Sequence, residues 1–275
     1  MMSKFNRTIL WIFFLLVAGV QLFPLVWLIN FSLVDANEFF SDKVLVWPEV
    51  LKWQNYINAW IDGNFVRYLF NTVLVSTVTI ILTVGISLSM AYAFTRMTWK
   101  WNKFFFVIIL LGIMIPIHAT LLPNFTIFRS IGLTDSYWGL ILPYTAVSVP
   151  FSTFILTGFM RSIPRAVEES AVMDGASIYR IVFQIILPLT KPAIVTVIVT
   201  TFLNVWNEFI MAYTFISDDS LKTLPFSVMN FAGQYSSDYG SQFAVMVLTS
   251  IPAIIIYVIF NEQITKGVTA GSVKG

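Results

Sequence analysis

Polar side chains recur along one otherwise apolar stretch, residues 196–208, and their types suggest a chemical role within the membrane. The set comprises Thr196, Thr200, Asn204, Asn207 and Glu208. They lie three to four residues apart or side by side, so in an α-helix they share one face. A charge within lipid costs about 2.5–3.5 kcal/mol on insertion scales. We therefore predict that Thr200, Asn204, Asn207 and Glu208 line a water-filled path or gate; the alternative is a hydrogen-bond network between helices.

The composition indicates that most of this chain is surrounded by lipid. Its 275 residues are 57% hydrophobic and 11% charged, with a mean hydropathy of +0.81, whereas ordinary globular domains are about 25% charged. Apolar runs close to the roughly 20 residues that a bilayer requires occur six times, and only the fifth contains a charge. We predict an all-α membrane protein, one domain over 1–275, with transmembrane helices at about 9–33, 68–94, 104–128, 137–160, 192–215 and 243–260.

The distribution of lysine and arginine predicts the orientation. With the N-terminus inside, 11 of the 16 basic residues lie on the cytoplasmic side. The remaining five are Lys43, Lys52, Arg67, Arg129 and Lys222. Because positive charge accumulates in cytoplasmic loops, we expect both termini in the cytoplasm.

Several kinds of chemistry have no residues to support them. The chain has no cysteine, which removes disulfides and thiolate metal sites, and we predict no metal site. Its one histidine, His118, is interpreted as a hydrogen-bonded core residue rather than a ligand. The phosphate-binding pattern G-x-x-x-x-G-K-[ST] does not occur. We therefore expect no enzymatic activity, no bound cofactor and no nucleic-acid partner.

A charged insert interrupts the apolar sequence between the fourth and fifth predicted spans, at residues 161–191. Within it, "VEESAVMDGASIYRIVFQIILPLTKP" has acids in the first turn of a helix, where the helix dipole favours them. Asp174-Gly175 is typical of a turn, and Ser177 of the cap of a second helix. We predict a helix-turn-helix knob on the cytoplasmic side. A solvated connector without a partner is the alternative.

This insert resembles the EAA loop of ATP-binding-cassette importer permeases. The matching residues are Glu169, Ala171, Asp174, Gly175, Ala176, Ile185, Leu187, Pro188 and Pro192, with Ser170 in place of the first alanine. In that family the loop is a coupling helix that docks in a cleft of the ATPase. The resemblance implies ATPase-coupling roles for Glu168, Glu169, Ala171, Asp174, Gly175 and Ala176.

Other segments resemble the carbohydrate-uptake, maltose-type branch of these permeases. They are "NT" at Asn71-Thr72, "IGLTDSYWGLILP", "FLNVWNEFIMA" and the C-terminal "ITKGVTAGSVKG". In that branch the tail, here residues 262–275, reaches between the ATPase subunits. The resemblance implies ATPase contacts for Thr269, Ala270, Gly271 and Lys274, and the alternative is a tail without contacts.

The resemblance implies the permease subunit of an ATP-driven, binding-protein-dependent importer of mono- to oligosaccharides. It also implies a prokaryotic inner or plasma membrane, a second, unlike permease, a cytoplasmic ATPase dimer that binds ATP and Mg, and an external sugar-binding protein. One alternative is a permease of the same superfamily for a polyamine or an anion. Another is a self-contained channel or secondary carrier, for which the sequence offers only one intramembrane acid, Glu208.

Overall fold

The computed structural model describes residues 4–35, 38, 47–233 and 237–272, and α-helices form most of the described chain. The helices of the first part are α1 (Lys4–Phe31), α2 (Gln54–Ile61), α3 (Phe65–Arg96), α4 (Asn102–Leu111), α5 (Leu121–Ser130) and α6 (Tyr137–Ser162). Those of the second part are α7 (Ala166–Met173), α8 (Ile178–Arg180), α9 (Leu187–Leu189), α10 (Lys191–Trp206), α11 (Ile210–Phe215), α12 (Phe226–Met229) and α13 (Tyr239–Ser272). The predicted all-α fold is confirmed for these residues.

Four of the described helices are long and apolar enough to cross a membrane. These are Asn6–Phe31, Phe65–Arg96, Tyr137–Ser162 and Tyr239–Gln263. Two further pairs pass the same test together but are bent, Asn102–Met114 with Ile117–Ser130 by 92°, and Ile178–Leu189 with Lys191–Trp206 by 72°. Six spans result if each bent pair counts as one.

The third predicted span is not one straight helix. The chain leaves the helical conformation at Ile115 and Pro116, whose ψ angles are 110° and 129°. Proline has no N–H to donate, and its ring disfavours a helical conformation in the preceding residue. The predicted span 104–128 is therefore bent at Pro116, near the middle of the apolar run.

The fifth predicted span, 192–215, is also interrupted. Helix α10 ends at Trp206 and α11 begins at Ile210. At the other end, α10 meets the segment Ile178–Leu189 at an angle of 72°. The polar residues that the sequence places in this span therefore lie on and around a helix break.

The described residues fall into two compact units. One combines the chain up to Arg67 with Pro225–Pro252, and the other combines Tyr68–Leu224 with the chain from Ala253. In the second unit, α6 is the central helix and packs against α4, α10 and α11. One cluster of its hydrophobic core comprises Ala91, Tyr92, Ile155, Leu156, Met160, Ala171, Ile181, Ile186, Ala193 and Val197.

The last helix extends beyond its predicted span of 243–260. It begins at Tyr239 and continues to Ser272, so Thr269, Ala270 and Gly271 lie in its last turns. Lys274 lies outside the described residues. The predicted tail is thus a continuation of the helix as far as Ser272.

Candidate translocation cavity and coupling loop

Glu208 occupies the break between α10 and α11. Its carboxylate accepts hydrogen bonds from the backbone N–H groups of Met211, at 2.8 Å, and Ala212, at 3.3 Å. The phenolic hydroxyl of Tyr144 on α6 donates a third hydrogen bond to it. The first N–H groups of a helix have no partner within the helix. Glu208 therefore caps α11, and the protein supplies the donors that an intramembrane carboxylate requires.

A cavity of about 750 Å³ opens beside this carboxylate. All four residues that we predicted to line a path or gate also line this cavity, namely Thr200, Asn204, Asn207 and Glu208. The side chains of Asn204 and Asn207 are exposed, whereas Thr200 and Glu208 are half-buried. The polar face of the fifth span therefore borders open space, and its four members are close together.

Thr196 does not share this environment, although it belongs to the same stripe of polar residues along one face of the fifth predicted span. Its side chain is fully buried, and its hydroxyl is 2.9 Å from the carbonyl oxygen of Gln263 on α13. The stripe thus divides in two. Thr196 joins α10 to the last helix, as the alternative of an interhelical network requires, and the other members face the cavity.

Two residues of the cavity were missed by the sequence analysis. His118 is exposed and lines the cavity, so its interpretation as a core residue is wrong. The extended backbone at Ile115 and Pro116 reorients the chain just before it. Tyr144 is 3% exposed and reaches the cavity beside Glu208. Its spacing of four from Ser148 was the available signal, but a single tyrosine among apolar residues does not stand out.

The charged insert folds as the predicted helix-turn-helix. Helix α7 is followed by Gly175, whose φ of +79° lies in the left-handed region that favours glycine. The side chain of Ser177 then caps the next helical segment by accepting a hydrogen bond from Arg180 N–H. That segment continues as one rod, Ile178–Leu189, which includes a π-helical part.

One side of this insert, residues 161–191, which we call the coupling loop after the resemblance described above, is attached to α3. Glu168 forms an ion pair with Arg96, and their side chains are only 13% and 7% exposed. The Arg165 guanidinium donates to the carbonyl oxygen of Thr95 at 3.0 Å. Ala171 is buried in the hydrophobic core of the unit. The structure therefore directs Glu168 and Ala171 inwards, where they hold the loop in place.

The other side of the loop is exposed. Glu169, Asp174 and Gly175 are all accessible, and Ala176 is half-buried. Apolar side chains lie among them, with Met173 86% exposed and Tyr179 74% exposed. Exposed apolar surface flanked by acids is typical of a protein-binding surface. Three of the six predicted coupling residues are thus presented to solvent.

Two of the other motifs that carry the resemblance, "NT" at Asn71-Thr72 and "IGLTDSYWGLILP", form a clasp with the loop after α11. The side-chain amide of Asn71 donates to the carbonyl oxygens of Ser220 and Lys222, at 2.9 and 2.8 Å, and accepts from the Tyr137 hydroxyl at 2.8 Å. Thr72 accepts from Leu224 N–H at 2.7 Å. These bonds tie α3 and α6 to the loop after α11.

Asp135 extends the same clasp. It has a φ of +51°, and its carboxylate accepts from the N–H groups of Ser217, at 2.5 Å, and Asp218, at 2.9 Å. On the same loop, a hydrogen bond from Lys222 to Asp219 raises the pKa of the lysine. The clasp and Glu208 therefore hold α11 and its following loop at both ends.

The comparisons with known proteins agree with this architecture. The family described as "Binding-protein-dependent transport system inner membrane component" matches residues 82–270. The chain belongs to this family. A permease of the family is a multi-pass inner-membrane component of an ATP-binding-cassette transport system. The resemblance to importer permeases and the predicted all-α membrane fold are confirmed.

Relatives of this importer permease carry names that specify their substrates. It is 34% identical to the "Sulfoquinovosyl glycerol transport system permease protein SmoH" of Agrobacterium fabrum, over 95% of this chain and 91% of the relative. It is 31% identical to the "Trehalose/maltose transport system permease protein MalG" of Thermococcus litoralis, over 98% of each chain.

The importer permease also shares its fold with a solved structure. That structure is a bacterial ATP-binding-cassette transporter involved in the import of the acidic polysaccharide alginate. The TM-score is 0.82 at 20% identity, over 95% of this chain and 98% of the other. At this identity the likeness concerns the fold, and it supports the helical architecture described above.

Proposed function

We propose that this permease carries sugars, from mono- to oligosaccharides, through the cavity beside Glu208. The lining of the cavity is the main support for this proposal. It presents two amides and two hydroxyls within the membrane domain, those of Asn204, Asn207, Thr200 and Ser148. Such groups both donate and accept hydrogen bonds, as sugar hydroxyls do. The substrates in the names of the relatives, trehalose, maltose and sulfoquinovosyl glycerol, support the same class.

The partners in the proposal are those of a binding-protein-dependent system. An ATPase dimer binds ATP and Mg and docks on the exposed side of the coupling loop, at Glu169, Asp174 and Gly175. A second, unlike permease completes the translocation path, and an external sugar-binding protein delivers the solute. Glu168 and Ala171 act indirectly in this scheme, because their contacts fix the loop to α3.

The test is ATP turnover of the complete complex in lipid nanodiscs with its binding protein. A panel of sugars is compared with polyamines and inorganic anions, and we expect only sugars to raise turnover. Stimulation by a polyamine or an anion, without any response to sugars, would overturn the sugar assignment while leaving the importer assignment intact.

Variants of the cavity refine this test. Asn204→Ala removes one or two hydrogen bonds of about 1 kcal/mol each, so we expect the sugar concentration for half-maximal turnover to rise about fivefold to thirtyfold. Thr196→Ala is the matched control on the same helix, because Thr196 does not line the cavity. Equal effects of the two variants would contradict the cavity as the sugar path.

Glu208→Ala separates binding from gating. It removes the cap of α11 and the partner of Tyr144 together. Loss of sugar-stimulated turnover with normal basal turnover identifies a binding role. Raised basal turnover without sugar identifies a gate. Failure to assemble with the partner permease would instead make Glu208 structural.

A further inference from the structure

We propose that α2 is a membrane-surface helix whose exposed apolar face contacts phospholipid at the boundary between acyl chains and headgroups. The helix and all the contacts used here belong to the unit formed by the chain up to Arg67 with Pro225–Pro252. Neither the coupling loop nor the cavity takes part. The inference therefore stands independently of the transported solute.

The large apolar side chains of α2 point outwards, whereas its two buried residues are small or polar: Ala59 is fully buried, and Asn55 is 7% exposed. The outward side chains, with that of Trp53 directly before the helix, are large and apolar. Their exposed fractions are 61% for Trp53, 49% for Ile57, 49% for Trp60 and 65% for Ile61. A surface of this kind requires a non-aqueous neighbour.

Contacts on both sides place α2 at the level of one membrane boundary. The Asn55 side-chain amide donates to the carbonyl oxygens of Ser32 and Val34, both at 3.0 Å, directly beyond the end of α1 at Phe31. The candidate span in α1 has 26 residues and is about 39 Å long, against about 30 Å of hydrocarbon. Its end therefore lies at a bilayer surface.

The opposite flank of α2 rests on the beginning of the last helix. Ala59 is fully buried and packs with Ala244 and Val245 of α13. The close approach extends to Gly240, where a Cβ would lie 2.4 Å from the Asn55 side chain. Gly240, Ala244 and Val245 belong to the first turns of the last candidate span, Tyr239–Gln263. The start of one span and the end of another thus bracket α2 at the same depth.

The chemistry of the exposed face matches a lipid interface. Tryptophan is enriched at both membrane surfaces, where the indole ring lies among headgroups. Amides border the apolar face, and the Gln54 side chain donates to that of Asn58 at 2.9 Å. An apolar pocket of about 350 Å³ between Ile57, Trp60 and Leu248 adds apolar surface that an acyl chain can cover. An apolar face beside a polar one is typical of helices that lie in the membrane plane.

The absence of cysteine from the sequence makes a direct test possible. Single Ile57→Cys and Ile61→Cys variants are spin-labelled in the complete complex, with cysteine-free partner subunits, in phospholipid nanodiscs. Collision with oxygen, which concentrates in lipid, is compared with collision with a water-soluble nickel chelate. Val20→Cys, exposed in the middle of α1, reports lipid, and Gln54→Cys reports the polar border of α2. Only variants that retain ATP turnover are measured.

We expect the oxygen-to-nickel collision ratio at Ile57 and Ile61 to lie below that of Val20 and clearly above that of Gln54. A ratio at both positions equal to that of Gln54 would place the face in water and overturn the proposal. Low collision with both reagents would show that a protein partner covers α2, which overturns it equally.

Discussion

At the scale of single residues, the position of Glu208 shows how this protein keeps a carboxylate within the membrane. Two backbone N–H groups and one tyrosine hydroxyl supply its hydrogen bonds. The same bonds fix the start of α11 relative to α6. The side chain therefore orders the backbone at a helix break while its neighbours Asn204 and Asn207 remain accessible from the cavity.

Tyr144→Phe tests this arrangement with the smallest change. It removes one donor to Glu208 while both backbone donors remain, so we expect a loss of about 1 kcal/mol in stability. That loss corresponds to a fall of roughly 2–4 °C in Tm, together with altered basal ATP turnover. Tyr257→Phe, on the exposed side of α13, is the matched control. An unchanged Tm in Tyr144→Phe would show that the hydrogen bond contributes nothing measurable.

At the scale of elements, the coupling loop and the end of the last helix are the proposed contacts with the ATPase. The loop is rigidly attached, because Glu168 pairs with Arg96 and Ala171 is buried in the core. Its turn, by contrast, is exposed at Met173 and Gly175. A rigid base with an exposed tip is suited to transmitting a displacement from a docked partner to α3.

Gly175→Asp tests the exposed tip. A side chain at φ +79° costs about 1–2 kcal/mol, and the added charge lies where a partner approaches. We expect normal insertion and assembly of the spans but loss of sugar-stimulated ATP turnover. The matched control is Gly132→Asp, since Gly132 also has a positive φ, +70°, and open space around it. Normal uptake in Gly175→Asp would contradict the docking role.

Deletion from Val268 onward tests the end of α13. It removes the last turns of that helix, including Thr269, Ala270 and Gly271, while the candidate span Tyr239–Gln263 is retained. If this segment contacts the ATPase, basal ATP turnover should fall although the complex still assembles. A truncated complex with the turnover of the full chain would support a tail without contacts.

At the scale of the whole molecule, the proposed orientation brings the coupling loop and both termini to the cytoplasmic side. The clasp around Asn71 and Asp135 then lies on the outer side, beside the loop that follows α11. The charge distribution alone supports this arrangement, because 11 of the 16 basic residues share one side.

Cysteine labelling tests the orientation directly, because the natural chain has none. Thr98→Cys, between α3 and α4, should react with a membrane-impermeant maleimide only in inverted vesicles. Ser130→Cys, at the end of α5, should react only from the outside of intact cells. The reverse pattern at the two positions would invert the assignment of every loop.

The sequence by itself determined the class of the protein and the positions of its apolar runs. Composition and uncharged length specify membrane helices without regard to tertiary contacts, since each span satisfies its own backbone hydrogen bonds. Turn chemistry was equally local, and Gly175 and Ser177 occupy the predicted turn and cap. The polar face of the fifth span could also be predicted, because helical spacing brings Thr200, Asn204 and Glu208 to one side.

Only the tertiary structure decided what each polar side chain touches. It buried Thr196 against α13 and exposed Asn204 to a cavity, although the two share one helical stripe. It also joined Tyr144 to Glu208 across 64 positions of sequence. Spacing reports the face of a helix but not the neighbour opposite that face. Contacts between distant segments depend on how the helices pack, and a single sequence does not record that packing.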